Sequence, residues 1–476
     1  MPIAALYLLE AAAALVALAF YKKGDRPLSS FLTHPAGLVF LVAAAVLVAT
    51  LLVLVRWLRR QPPPRARRLA APLLLNLMSL GIGCATAEGA IRVLSVDTPE
   101  GPVFANTVLL PRSWESVAAR SRATLAKAAE QGSFLVFDRQ LGWTVGPNRH
   151  SRDYNRVRAR ATAARLDGRS ASQSTADSAD EIYLSSMEGI RSPRAGMSFA
   201  GTPRPKHRIA LIGDSFTFGL EVPYEDTWGQ QLERALGSDV QVLNFGVDGY
   251  GVDQALLRYQ RDVLAWHPDV VILGVINDDL RRTMCVYGFL CFPGFEMPFP
   301  KPRFVMAGDS LQRLNAPLPD PDSLFTRRAI TDLPFIAHDA SFDPGEWQWH
   351  FYDHSYAIRL VLSKFRRWPT PGSTVTEDAE RRVNGAIVRA FERLARENGS
   401  MPIVVFFPSL TALLPGSHST PIAEQVLRAE QIPYLDMTEC VRQVPAAQRF
   451  VTLHYSRVTN AAIVGCLRAV ATRSMR

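Results

Sequence analysis

The chain has 476 residues, is 48% hydrophobic and carries a formal net charge of +9. That length accommodates a membrane region plus one large domain or two small ones. Much of the basic excess sits in an arginine-rich loop at 56–68 and in a stretch at 149–169. No basic helix interleaved with aromatics accompanies it, which argues against nucleic acid as a partner.

Three long apolar runs occupy the first hundred residues, at 3–20, 36–55 and 69–87. Each is close to the ~20 residues that cross a bilayer as a helix. No Lys or Arg precedes the first run and two more runs follow it, so three transmembrane helices in residues 1–95 are expected, not a cleaved leader. The loop "RWLRRQPPPRARR" carries Arg56, Arg59, Arg60, Arg65, Arg67 and Arg68, whereas "YKKGDRPLSSFLTH" has Lys22, Lys23 and Arg26 offset by Asp25. The arginine loop belongs on the cytoplasmic side, which sends everything after the third run outside. The expectation is a multi-pass protein of the inner (plasma) membrane, with the bilayer as a partner and an extracytoplasmic domain.

Residues 96–204 form a lead-in, with a helix expected over 114–131 and then "FDRQLGWTVGPN". Residues 151–181 are mainly Ala, Arg and Ser, too poor in large apolar side chains to bury a core, and read as a flexible insert.

From 205 to 476 the pattern changes. "RIALIG", "VQVLNFGV", "DVVILGVI", "PIVVFFPS" and "IPYLDM" alternate with helical stretches. Continuous Val, Ile and Leu strands separated by helices mean a parallel sheet covered on both faces. Ligands of such sheets bind beyond the carboxyl ends of the strands, where Ser215, Gly246 and Asn277 all fall. An insertion at 277–350, rich in Phe, Pro and Trp, is expected to shape the surface that meets the acceptor.

Four stretches carry candidate chemistry. In "GDSFTFG", Gly213 and Asp214 allow a tight strand-to-helix turn that presents Ser215; an Asp-Ser helix cap is the plainer reading. In "NFGVDGYG", Gly246 ends a strand with its backbone N–H free to point inward. In "GVINDDL", Asn277 follows a buried strand and its amide suits an oxyanion. In "TLHYSRVTN", His454 precedes the last helix, placed to serve as a general base.

In this order and within one α/β domain, these blocks resemble the SGNH, or GDSL-type, hydrolase superfamily over roughly 205–472. "LGWTVGPN" and "KPRFVMAGDSLQRLNAPLP" resemble a membrane-anchored bacterial branch of it. The resemblance implies a flavodoxin-like three-layer α/β/α fold and acyl-ester hydrolysis or transfer without metal or other cofactor. Ser215 would attack the carbonyl, His454 would move the proton, and Ser215 N–H, Gly246 N–H and the Asn277 amide would hold the oxyanion. The chain departs from the family at Val451 and Thr452, where an aspartate usually orients the histidine. Asp436, at the end of "IPYLD", is a substitute from a neighbouring strand; a backbone carbonyl behind a Ser-His dyad is another, and a crippled site a third.

Cys285 with Cys291 and Cys440 with Cys466 are the expected disulfides, with buried free thiols the alternative. His350 and His354 stand four apart, but no third ligand accompanies them, so no metal is expected. The function expected is a membrane-anchored serine esterase acting on acyl, chiefly O-acetyl, esters of a cell-envelope or secreted substrate, either a glycan or a small acyl ester. An O-acetyltransferase of a cell-surface polysaccharide, fed by a separate acetyl-donating membrane partner, is the first alternative. A non-catalytic binding or scaffold domain, supported by the missing aspartate, is the second.

Overall fold

The computed structural model describes Arg56 and residues 86–98, 101–105, 107–152, 182–201, 205–292, 297–365, 375–413 and 421–475. The three apolar runs, apart from Thr86 and Ala87, and nearly all of the 151–181 insert lie outside these residues. Among the described residues no helix is long and apolar enough to cross a membrane.

The chain divides into two compact units, one of residues 122–325 and 375–476, the other of 1–121 and 326–374. The first unit is built on five strands: β1 (His207–Ile212), β2 (Val240–Asn244), β3 (Val270–Val275), β4 (Met401–Phe406) and β5 (Tyr434–Asp436). They hydrogen-bond in the order β5-β4-β3-β1-β2, all parallel. Ile209 pairs with both Val242 on β2 and Val270 on β3. The chain therefore leaves β1 toward one edge and β3 toward the other, so the carboxyl ends of β1 and β3 form the switch point where such sheets bind ligands.

Alternation along the strands feeds two faces. Ile209, Leu211, Val240, Val242, Val270, Ile272, Ile403 and Val405 pack with Trp228 and Leu232 of α2 (Trp228–Leu236) and with Ile463 and Leu467 of the C-terminal helix Arg457–Ser474. Helices α3 (Val252–Arg258), α4 (Asn277–Thr283), α5 (Glu377–Glu397) and α6 (Ile422–Ala429) pack among themselves, with α5 also against β4. The helix of the C-terminal segment is α7.

The lead-in is divided: residues 96–121 belong to the other unit, and from 122 onward it is part of this one. "FDRQLGWTVGPN" folds as an antiparallel hairpin, Leu135–Asp138 with Gly142–Val145. Leu141, Trp143 and Val145 join Phe218, Val247 and Tyr250 in a second apolar core. Trp143 Nε1 donates to Asp248 O (2.9 Å), and Tyr250 Oη donates to Trp143 O (2.6 Å). The hairpin thus braces the loop after β2 from below.

The 277–350 insertion is shared between the units, which divide at 325. The pairs Cys285–Cys291 and Cys440–Cys466 are both disulfide-bonded. The second unit contains the expected helix Trp114–Gln131 up to Ser121, an antiparallel sheet (Val96–Thr98, Gly101–Phe104, Thr107–Val108) and the helix Tyr356–Lys364. Arg359 Nε donates to Leu110 O and Leu110 N to Ser363 Oγ (2.9 Å), tying that helix to the end of the sheet.

Candidate active site

Ser215 opens α1 (Ser215–Phe218), one turn directly after β1. The turn depends on Gly213. Its φ of +147° is one that side chains rarely adopt, and a Cβ there would lie 2.4 Å from Thr217 Oγ1 and 2.7 Å from Gly274 O. Asp214 caps the turn, its Oδ1 accepting from Phe216 N at 2.9 Å. Ser215 is therefore both cap-adjacent and presented: it is 2% exposed and lines a cavity of about 410 Å³.

His454 comes to it from the irregular segment before α7, its Nε2 lying 2.9 Å from Ser215 Oγ. The ring also packs 5.0 Å from that of Phe216, and neighbouring Tyr455 is pinned by its hydroxyl donating to Pro408 O at 2.7 Å.

No aspartate stands behind His454. Asp436, the substitute suggested by sequence, is exposed and accepts from Thr438 N (2.8 Å), capping the short helix that follows it. The acid present is Glu221. It is fully buried, and its Oε1 lies 3.3 Å from His454 Nδ1, at ion-pair distance though short of a well-formed hydrogen bond. Its Oε2 accepts from the backbone N–H groups of Thr452 (2.8 Å), Leu453 (3.0 Å) and His454 (3.1 Å). Burial pushes the Glu221 pKa up, but the His454 contact and these N–H bonds outweigh it and hold it at about 2. The backbone at Glu221 is left-handed (φ 68°), a strain that persists where surroundings over-determine the residue. Sequence reasoning looked for the acid just before the histidine and missed one six residues after the serine. The available signal was a lone carboxylate inside "GLEVPY", flanked by apolar residues.

Gly246 is corrected. It does not line the cavity, and its N–H already donates to Asn244 Oδ1 at 3.0 Å. Its lack of a side chain serves packing, since a Cβ would lie 2.4 Å from Phe218 N. The glycine of this loop that does line the cavity is Gly249. Asn277 begins α4, and its Oδ1 accepts from Ala423 N at 3.2 Å; its neighbours Ile276 and Asp278 form the wall at that point. His350 precedes a short 3-10 turn, Phe351–His354, and His354 ends it, and no cluster able to hold a metal occurs among the described residues.

The cavity wall is largely apolar, with Phe216, Leu220, Phe292, Met297, Leu410 and Leu453. One cation, Arg282, enters it, donating to Asp214 Oδ2 (3.2 Å) and Asp279 Oδ1 (2.8 Å) and lying over the Phe292 ring. Burial, with the Asp214 carboxylate beside it, pushes Asp279 well above the usual carboxylate range. Burial likewise raises Asp248 on the wall.

Residues 209–294 match the family model of the GDSL-like lipases and acylhydrolases. That stretch lies within the sheet-bearing unit and holds Ser215, Glu221 and the loop after β2. The chain is also similar to an arylesterase from Vibrio mimicus, 32% identical over 78 residues, which are 16% of this chain and 39% of that protein. The chain thus spans well under half of the curated relative it matches. Among solved structures, a lipase/acylhydrolase from Enterococcus faecalis is 16% identical and covers 56% of this chain and 96% of its own, with a TM-score of 0.28. A carbohydrate acetylesterase family member from Sinorhizobium meliloti is 14% identical, with 56% and 99% covered and a TM-score of 0.27.

Proposed function

We propose that the protein is a serine esterase in which Ser215, His454 and Glu221 act in series. The observation that carries this reading is the 2.9 Å approach of His454 Nε2 to Ser215 Oγ inside a cavity, with a buried carboxylate behind the ring. A serine hydroxyl attacks only when a base takes its proton as the bond to carbon forms. His454 Nε2 takes it, Ser215 Oγ adds to the acyl carbonyl, and the imidazolium that results faces Glu221. His454 then returns the proton to the departing alcohol oxygen, leaving an acyl-serine that water hydrolyses by the same route. Ser215 N–H, Gly249 N–H and the Asn277 amide are the proposed oxyanion donors, Gly249 replacing the Gly246 of the sequence reading.

The substrate class is an acyl ester, with O-acetyl esters of an envelope or secreted glycan as the form proposed from sequence. A 410 Å³ cavity lies within the range of small-molecule sites, roughly 300–1,000 Å³. It is larger than an acetyl group needs, so it takes the acyl group together with part of the alcohol. The non-catalytic reading rested on the missing aspartate, and Glu221 now stands in that place. Anchoring by the three apolar runs, with this unit outside the cytoplasm, is part of the same proposal.

The test uses the full chain in detergent with aryl esters from acetate to octanoate. Turnover by wild type, abolished in Ser215→Ala and His454→Ala, is the expected result. Equal rates for wild type and Ser215→Ala on every ester would overturn the reading.

A further inference from the structure

The described aromatic side chains that remain in solvent are unevenly distributed. Phe335, Trp349, Phe351 and Phe365 are the large exposed aromatics, and all four belong to the 326–374 part of one unit. Phe351 is 73% and Phe365 62% exposed. On the helix Tyr356–Lys364, Val361 is exposed too and lies one turn before Phe365, so the two share an outward stripe, whereas Leu362 is buried.

These residues are tied to the end of the third apolar run. Residues 86–94 are helical and continue that run, and Val93 and Leu94 on it are exposed. Glu88 of this helix accepts from Ser355 Oγ (2.9 Å), Tyr356 N (2.8 Å) and Ala357 N (2.9 Å). Arg92, paired with Glu88 at 2.7 Å, donates to His354 O and lies over the Tyr356 ring. The His354 ring in turn packs 5.5 Å from Trp349. The same stretch of chain carries exposed cations, Arg327, Arg328 and Lys364, and in sequence Lys364 opens "KFRRW" at 364–368.

Exposed apolar side chains concentrated in one place mark an interaction surface. Aromatics interleaved with Lys and Arg, next to an apolar run long enough to span, have the composition of the membrane–water interface, where rings sit at headgroup level and cations reach phosphates. We infer that the surface bearing Trp349, Phe351, Val361 and Phe365 seats in the interfacial layer of the bilayer that the third run enters. The inference rests on the anchoring proposed above. It also gives the end of the 277–350 insertion, at Trp349, a lipid-facing role in place of an acceptor-facing one.

The test uses the full chain in nanodiscs of phosphatidylethanolamine and phosphatidylglycerol. An environment-sensitive dye is placed at Phe351→Cys in a Cys84→Ser background, with Phe365→Cys as a second site should the first fail to fold. Met187→Cys, exposed in the other unit, is the reference. The dye at 351 or 365 is expected to lose most of its emission when the lipids carry bromine near the headgroup end of their chains, while the dye at 187 loses none. If the chain stays with the nanodiscs but 351 and 365 are unaffected by brominated lipid and open to iodide, the inference is wrong and the anchor stands. Shielding from iodide without quenching by brominated lipid means that protein covers the surface, which also overturns it. A chain that does not remain with the nanodiscs sinks anchor and inference together.

Discussion

The two halves of the proposed catalytic pair, Ser215 and His454, are held in different ways. Ser215 sits at the end of a central parallel strand, on a turn whose glycine touches Thr217 and Gly274, above a core of fully buried side chains. His454 sits on an irregular segment with exposed side chains just before it: Val451 is 43% and Leu453 54% exposed. Besides the Tyr455 hydroxyl on Pro408 O, one carboxylate holds the second half, binding three successive backbone N–H groups there and facing the imidazole as well. The serine half takes its rigidity from the sheet, and the histidine half borrows it from Glu221.

The largest effect tests the pair itself. Ser215→Ala or His454→Ala should lower kcat for an aryl ester by about 10⁴-fold or more, the scale seen when such a unit is broken. Glu221→Gln is expected to come next, with kcat down about 10²- to 10⁴-fold. It should also speed amide hydrogen exchange at 452–454, which a purely chemical role would leave alone. Asp436→Asn should leave kcat within about twofold of wild type, because its carboxylate caps a helix. A loss as large as that of Glu221→Gln would transfer the orienting role to Asp436.

Gly213→Ala breaks the comparison from the other side. A methyl group 2.4 Å from Thr217 Oγ1 forces the turn apart, and thermal unfolding should show a destabilisation of about 2–4 kcal/mol. The smallest effect is on acid stability. Glu221 titrates at about 2 in the folded chain against an ordinary 4.5, so its contribution is complete above pH 4.5 and is lost as pH falls toward 2. Wild type should therefore lose melting temperature faster than Glu221→Gln between pH 4.5 and 2.

The sheet was legible because each strand is a short apolar run ended by a turn signal, and a fully buried parallel strand needs nothing else. The serine and histidine were legible because each sits in a short block of fixed spacing. Glu221 was not, because its partner lies more than two hundred residues away and the pairing exists only after folding. Gly246 was misassigned for a related reason. Two glycines follow β2 three residues apart, and only the Asn244 side chain bond to Gly246 N, together with the cavity at Gly249, separates their roles. The hairpin at 135–145 was read as lead-in because its strands are only four residues each, too short to show which core they complete.

Glu221 changes how this chain is parcelled for inheritance. The proposed nucleophile and acid lie within seven residues of each other, and the histidine segment supplies its ring and its main-chain amides to them. The side chains of Val451 and Thr452 take no part in that arrangement. A search keyed to an aspartate shortly before the last histidine would pass over this chain, whose proposed acid sits beside the serine at the opposite end of the domain's sequence.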